Sequence, residues 1–468
     1  MSKTLAQSKP LSQAVAGQGT SAAEQTGSRL IKSIRWWDGC VLGLAVPGFL
    51  FPSLGFSVAA LGAFGAIVVW LVSVVLGAVQ NNIYAELAAM FPDKSGGIGI
   101  YAHEGIKRYS PIVGPLATWG YWLAWSSVLS INGLIIGDYL QSTVWPTATW
   151  TYFPPLIGTV AVLALWGLNV LGLRLSTRFS YLLGVLTLLP MLLVMVGPFL
   201  NGSLNYDNLK PLSLPDASLM LYWLYLAGWS AYGAECNATF GPEFAYTTRE
   251  APRALRVSSV FSIFVYGLVP LGLVGVLGTK GVAANQLTAF DPALRAIIGS
   301  DTNLVIVVIV LATLILAANV ALIVGTRSLW QMSEENLAPA WLGPLGKYGV
   351  PNRAMAATVV PQIILMWLFP TSPVAILIAG NLGYLLCHVC ALVAFILLRR
   401  DQPNATRPIR LGSSWVTIAG ALVAVNVLFV IVGNVVGISI NGFNSLIIGV
   451  ALLGVGYVLY LARDRARA

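Results

Sequence analysis

Charge is what this chain has least of. Only 9% of its 468 residues are Asp, Glu, Lys or Arg, against about 25% in an ordinary soluble protein. That shortage excludes a water-soluble fold, and a hydrophobic content of 57% with a mean hydropathy of +0.80 points the same way. Histidine is nearly absent, with two copies, and cysteine is limited to four. A redox or metal motif is therefore confined to Cys387-His388-Cys390, which has no second group of ligands and sits inside an apolar run. Small polarisable side chains between helices explain it without a metal, and Cys40 and Cys236 also fall within apolar runs, so no disulfide is expected. There is no HExxH, no phosphate-binding loop and no Ser-His-Asp set, which argues against an enzyme, and nothing calls for a cofactor.

What the chain does have is apolar length. Stretches near or above about 18 residues recur, each able to cross a hydrocarbon core as a helix. Backbone groups cannot stay unpaired in lipid, and these runs lack the alternation of a membrane β-barrel. The expected fold is an all-α membrane protein. Twelve transmembrane helices are read at 34–60, 65–90, 112–141, 152–173, 178–200, 218–246, 254–278, 302–332, 354–370, 373–398, 414–436 and 443–462. Residues 1–30 are polar, rich in Ser, Gln, Gly and Ala, and read as a disordered cytoplasmic tail without the apolar centre of a signal peptide. Residues 31–468 form the transmembrane domain.

The net charge of +9 has a simple distribution. With the N-terminus inside, the cytoplasmic segments collect nearly all the arginines and lysines, Arg327 and Arg399 among them, while Lys210, Lys280 and Arg295 fall outside. This is the positive-inside pattern, so both termini are expected in the cytoplasm and the basic excess is an orientation signal rather than a nucleic-acid surface. A multi-pass protein of the cell (plasma or inner) membrane follows. The external stretches around 201–217 and 279–301 are long enough to hold short helices over the outer face.

Two spans are unusual. The first, "DGCVLGLAVPGFLFPSLG", places Gly39, Gly43, Pro47, Gly48, Pro52 and Gly55 in one crossing. The sixth carries "WSAYGAECNATFGPEF" from Trp229, with Gly228, Gly233, Gly241 and Pro242 around Glu235. Proline removes a backbone donor and glycine weakens the helix, so neither span is expected to be continuous. The two lie five helices apart, and an odd offset makes the second enter from the opposite side. The expected architecture is a 5+5 inverted repeat with broken helices 1 and 6, repeat one over about 34–200 and repeat two over about 218–398. Two extra helices follow, over about 414–462. Open NH and C=O groups at such breaks suit a zwitterion.

These stretches resemble a known family. "YAELAAMFPDKSGGIGIYAHEG" resembles the end of helix two and following loop of the amino acid–polyamine–organocation permeases. "WSAYGAECNATFGPEFAYTTREAPRAL" resembles their helix six, and "GTRSLWQMSEENLAPAWLGPLGKYGVPNRA" the end of helix eight and its loop. The first helix departs from the pattern, with "AVPGFLF" in place of a Gly-Ser-Gly-Ile-Phe type motif, and Pro47 removes one amide there. The resemblance implies the leucine-transporter-like fold and a secondary active transporter of amino acids or related amines, working by alternating access. The alternative is a carrier of a nucleobase or another small solute on the same fold.

The resemblance also implies a site. Leu44, Pro47, Gly48 and Phe49 form the first break; Trp229, Tyr232 and Gly233 form the second, with Trp229 and Tyr232 matching pocket-lining positions of arginine–agmatine exchangers. Trp125 matches a pocket-facing position, and its bulk points to a substrate smaller or flatter than arginine. Asn319 is a polar candidate on span eight. Helix packing is the competing explanation for each. Glu235 is the expected proton-coupling residue, since an ionisable group at mid-membrane is costly unless protonated, paired or hydrated. The competing role is structural, a neutral acid bonded to open backbone. No lysine or arginine lies in the apolar length of span five, so proton symport, exchange and sodium symport all stay open, with protons or exchange placed first.

Overall fold

The computed structural model describes residues 30–50, 53–210, 215–299, 303–371 and 373–463. The expected tail, apart from Leu30, and Pro52 lie outside them. Among the described residues the chain is helical throughout, with one isolated bridge between Ile34 and Phe244. Eight helices among the described residues are long and apolar enough to cross a membrane. The helices are α1 (Trp36–Gly43), α2 (Leu54–Met90), α3 (Gly97–Ile106), α4 (Val113–Thr143), α5 (Phe153–Val170), α6 (Leu173–Asn201), α7 (Ala217–Ala231), α8 (Thr247–Ala284), α9 (Phe290–Ile298), α10 (Asn303–Glu334), α11 (Asn352–Leu368), α12 (Pro373–Asp401), α13 (Ser414–Asn441) and α14 (Asn444–Leu461).

Residues 60–65, read as a gap between two spans, form no loop. α2 runs through them with a single corner at Gly62, where φ of 71° and ψ of 177° break the helical path. A residue with a Cβ is strained at that dihedral, and the corner lets two apolar segments follow one another without a connecting strand of polar residues. Of the two stretches expected outside, 279–301 contains a short helix, α9, and 201–217 contains a 3₁₀ turn at Tyr206–Leu209.

One element escapes the sequence reading. "GIGIYAHEGI" reads as part of a loop, yet it forms α3, whose Gly97, Ile98, Gly99, Ile100, Tyr101, Ala102, Gly105 and Ile106 are buried. Gly97 starts it at a φ of 64°, and Gly99 allows close approach: a Cβ at Gly99 would sit 2.8 Å from Thr118 Cα, and Thr118 Oγ1 donates to the Gly99 carbonyl at 3.0 Å. Tertiary contact overrides the low helix propensity.

α4 and α10 are the most buried of the long helices and pack against each other at the centre; α13 is mostly exposed on the periphery. α12 reaches the centre through a crossing of small residues. A Cβ at Gly120 would lie 2.6 Å from the Gly383 carbonyl, so α4 and α12 meet backbone to backbone. That crossing places Tyr384 of α12 beside Trp125 of α4.

Candidate functional site

Both glycine- and proline-rich spans are interrupted. α1 ends at Gly43, a turn follows at Leu44 and Ala45, and a 3₁₀ segment runs from Val46 to Leu50, with Pro47 in its backbone. α7 ends at Ala231 and is followed by a 3₁₀ segment from Gly233 to Glu243. Eleven residues is long for that geometry, which rarely lasts beyond three or four. It persists because side chains supply donors to its carbonyls. From within the segment Asn237 Nδ2 donates to Ala234 O at 3.2 Å; from outside it Ser95 Oγ donates to Thr239 O at 2.8 Å and Thr247 Oγ1 to Gly241 O at 2.8 Å.

The two breaks touch. A Cβ on Gly233 would come within 3.3 Å of the Val46 methyls and 3.5 Å of Phe49 Cε2. Tyr266 of α8 clasps them: its hydroxyl lies 2.8 Å from Val46 O, 2.9 Å from Ser230 O and 2.8 Å from Ser230 Oγ. Tyr266→Phe removes the donor that serves these carbonyls while keeping the ring. A loss of roughly 1–3 kcal/mol in stability is expected, measured by denaturation in detergent, because buried acceptors are left unpaired. An unchanged midpoint would show that the carbonyls find other donors.

Where the breaks meet lies a small cavity of about 10 Å³, room for roughly one water molecule, lined by Phe49, Ala124, Trp125, Val128, Trp229 and Tyr384. Phe49 packs against both tryptophans, with ring centroids 5.3 Å from Trp229 and 5.7 Å from Trp125. Directly behind the wall is Glu235, fully buried. Its Oε1 accepts from Trp125 Nε1 at 3.0 Å and from Tyr384 Oη at 2.8 Å; its Oε2 is buried and accepts no hydrogen bond. The acid is therefore held by two of the aromatic side chains that line the cavity, and one oxygen remains unused.

The expected residues divide between this place and others. Phe49, Trp125 and Trp229 line the cavity, and Gly233 and Glu235 adjoin it. Gly48 packs on α10 instead, where a Cβ would approach Thr313 O to 3.2 Å. Leu44 lies against Gly184 of α6. Tyr232 points toward α12, its ring 5.1 Å from that of His388. Asn319 belongs to a separate buried polar cluster between α10, α5 and α6. Its Oδ1 accepts from Asn169 Nδ2 at 2.7 Å and its Nδ2 donates to Ser176 Oγ and Ser180 Oγ, each at 3.0 Å. The side chain of Pro47 lies outside the described residues. Among those residues no group of three or more metal-ligating side chains occurs.

Tyr384 and Tyr266 are the site residues that the sequence reading missed. Tyrosines in apolar helices read as packing, and only the three-dimensional convergence separates these two from the rest.

Charges near the expected cytoplasmic ends are paired. Arg327 of α10 makes two hydrogen bonds to Glu243, Nη2 to Oε1 at 2.9 Å and Nε to Oε2 at 3.1 Å, with both side chains buried. Arg399 donates to Glu86 Oε2 at 2.6 Å, and the Leu411 amide shares that oxygen. Lys107 pairs with Glu104 at 2.7 Å. Burial pushes the Glu104 carboxyl up, but Lys107 and Lys94 outweigh it and hold the group below its ordinary range.

The family comparison decides the class. The family model "Amino acid permease" matches residues 36–453, nearly the whole chain. The chain belongs to the amino acid permease family. Among its relatives in the amino acid–polyamine–organocation superfamily, an uncharacterized transporter of Mycobacterium tuberculosis is 25% identical over 431 residues, covering 91% of this chain and 90% of that protein. A lysine-specific permease of Lactococcus lactis is 23% identical, covering 74% of this chain and 70% of its own length. A polyamine transporter of Oryza sativa is 27% identical, covering 76% and 65%. The permease is thus a membrane transport protein, in line with its apolar helices.

Proposed function

We propose that this permease is a secondary active transporter of amino acids or related amines, coupled to protons or to exchange, and that the aromatic cavity beside Glu235 is its substrate site. The observation that carries the reading is the meeting of two interrupted helices at a cavity walled by Phe49, Trp125, Trp229 and Tyr384, with a buried carboxyl held by two of those residues. Aromatic faces attract cations, and amine groups are what lysine and polyamines share, the substrates named for two of the relatives. In this reading substrate enters when the broken helices move and the small cavity opens to one side or the other.

We also propose twelve crossings in a 5+5 inverted repeat. In that scheme each helix of the first five has a counterpart five crossings later. The packing supports it: α4 contacts α12 as α10 contacts α6, and α4 contacts α5 as α10 contacts α11. The counterparts α2 and α8 pack together, as do α4 and α10 and α5 and α11. Both termini are placed in the cytoplasm of a cell-membrane protein. A cysteine at Ala217→Cys should react with an impermeant maleimide in intact cells, and one at Asn404→Cys only after permeabilisation; the reverse pattern would overturn the orientation.

A thermal-shift screen of the purified protein across amino acids, amines and nucleobases tests the substrate class, since a bound ligand stabilises by mass action. Stabilisation by an amino acid or amine is expected; stabilisation by nucleobases alone would move the permease to the alternative carrier. With the ligand found, Trp229→Ala should weaken its binding at least about tenfold, as loss of an aromatic anchor typically costs 2 kcal/mol or more. Affinity unchanged within twofold would make Trp229 a packing residue.

A further inference from the structure

His388 is a buried titratable group that the cavity does not use. It lies on α12 one turn after Tyr384, the residue that donates to Glu235. Its Nδ1 is 2.8 Å from Tyr84 Oη and 3.2 Å from Gln80 Oε1, while its Nε2 is buried without a hydrogen-bond partner. Three tyrosine rings surround the imidazole, with centroids at 4.6 Å (Tyr384), 5.1 Å (Tyr232) and 5.5 Å (Tyr84). Gln80 Oε1 can accept the Nδ1 proton, which leaves Nε2 as the buried, unpartnered nitrogen to which a further proton can add.

We propose that His388 is a second proton-carrying residue of this permease, coupled to Glu235 across Tyr384. The proposal rests on the reading that Glu235 carries the coupling proton. When the proton passes from Glu235 to His388 through a water molecule admitted as the cavity opens, the carboxyl O–H bond breaks and an imidazole N–H bond forms. A carboxylate and an imidazolium result, and the net charge within the bilayer stays zero. Neither charge then stands alone in a low-dielectric interior, where an isolated one costs several kcal/mol. The titratable groups against the imidazole are Tyr84 of α2, Tyr232 after the end of α7 and Tyr384 of α12, with Cys387 and Cys390 close to it in sequence on its own helix. Glu235, which accepts from Tyr384, is the carboxyl next reached across that tyrosine. α12 also descends toward Arg399 and Arg400, so His388 lies on the cytoplasmic side of Tyr384 in the proposed orientation, where an inward-moving proton would next reside.

The chain has two histidines, so imidazole ¹⁵N NMR of histidine-labelled protein in detergent gives two sets of signals, and His103→Gln assigns them. The His388 signals are expected to pass from neutral imidazole to imidazolium on acidification. In Glu235→Gln the transition should move to lower pH by about one unit, as expected for strongly interacting sites. Tyr384→Phe, which keeps the ring against His388 and removes the hydroxyl that donates to Glu235, should also move it, and serves if the first variant does not fold. A His388 that stays neutral from pH 5 to pH 9, or that titrates at an unchanged pH in both variants, would overturn the proposal. The readout needs no transport, so failure of the proton pair and failure of the transport reading are seen separately.

Discussion

Glu235→Gln protein in liposomes is expected to lose nearly all uptake driven by an imposed pH gradient, while binding substrate in detergent with affinity close to that of the unaltered protein. The substitution keeps the shape of the side chain, and its amide oxygen still accepts from Trp125 Nε1 and Tyr384 Oη, so the wall of the cavity stays assembled. What it removes is the ability to release a proton when alternating access brings water to the site. Counterflow moves no net proton and should survive in part. Full pH-driven uptake by the variant would make Glu235 structural. Loss of binding together with transport would instead mean that the acid holds the cationic group of the substrate or the helix break itself.

The second large effect is on stability. Arg327→Met leaves the Glu243 carboxylate buried without its partner, and Glu243 is also where the chain before α1 attaches, since its carbonyl accepts from the Ser33 and Ile34 amides. Breaking a buried ion pair from one side typically costs about 3–5 kcal/mol, far more than the pair contributes over an apolar replacement. Detergent-solubilised Arg327→Met should therefore unfold at much lower temperature. Adding Glu243→Gln should recover most of the loss, because the uncompensated charge is gone. If the double variant is no more stable than the single one, the damage lies in packing around α10 rather than in an unpaired charge.

Much of the site was legible because its cause is local. Glycine and proline weaken a helix wherever it packs, so both interruptions could be placed from residues 39–55 and 228–242, and the acid between them followed. Phe49, Trp229 and Glu235 came with the breaks, and Trp125 with the resemblance. What stayed hidden depends on contacts between distant parts of the chain. Tyr384 and Tyr266 look like any tyrosine in an apolar helix; their meaning comes from reaching Glu235 across 149 residues and Val46 across 220. His388 reads only as part of the Cys-His-Cys motif, since sequence does not show which tyrosines lie against it. Asn319 reads as a pocket candidate because it is polar at mid-membrane, but its position along the helix does not show that it turns toward Asn169, Ser176 and Ser180. Arg327 and Arg399 were counted for orientation alone, whereas both are held in ion pairs with Glu243 and Glu86.

Counterflow in proteoliposomes addresses the central claim most directly. Vesicles loaded separately with a basic amino acid, a neutral amino acid, a diamine or a nucleobase are given a trace of the same labelled compound outside. Transient accumulation of label is expected for at least one amino acid or amine, abolished by Trp229→Ala, and none for the nucleobase. Accumulation of the nucleobase alone, or accumulation of an amine that Trp229→Ala leaves intact, would contradict it.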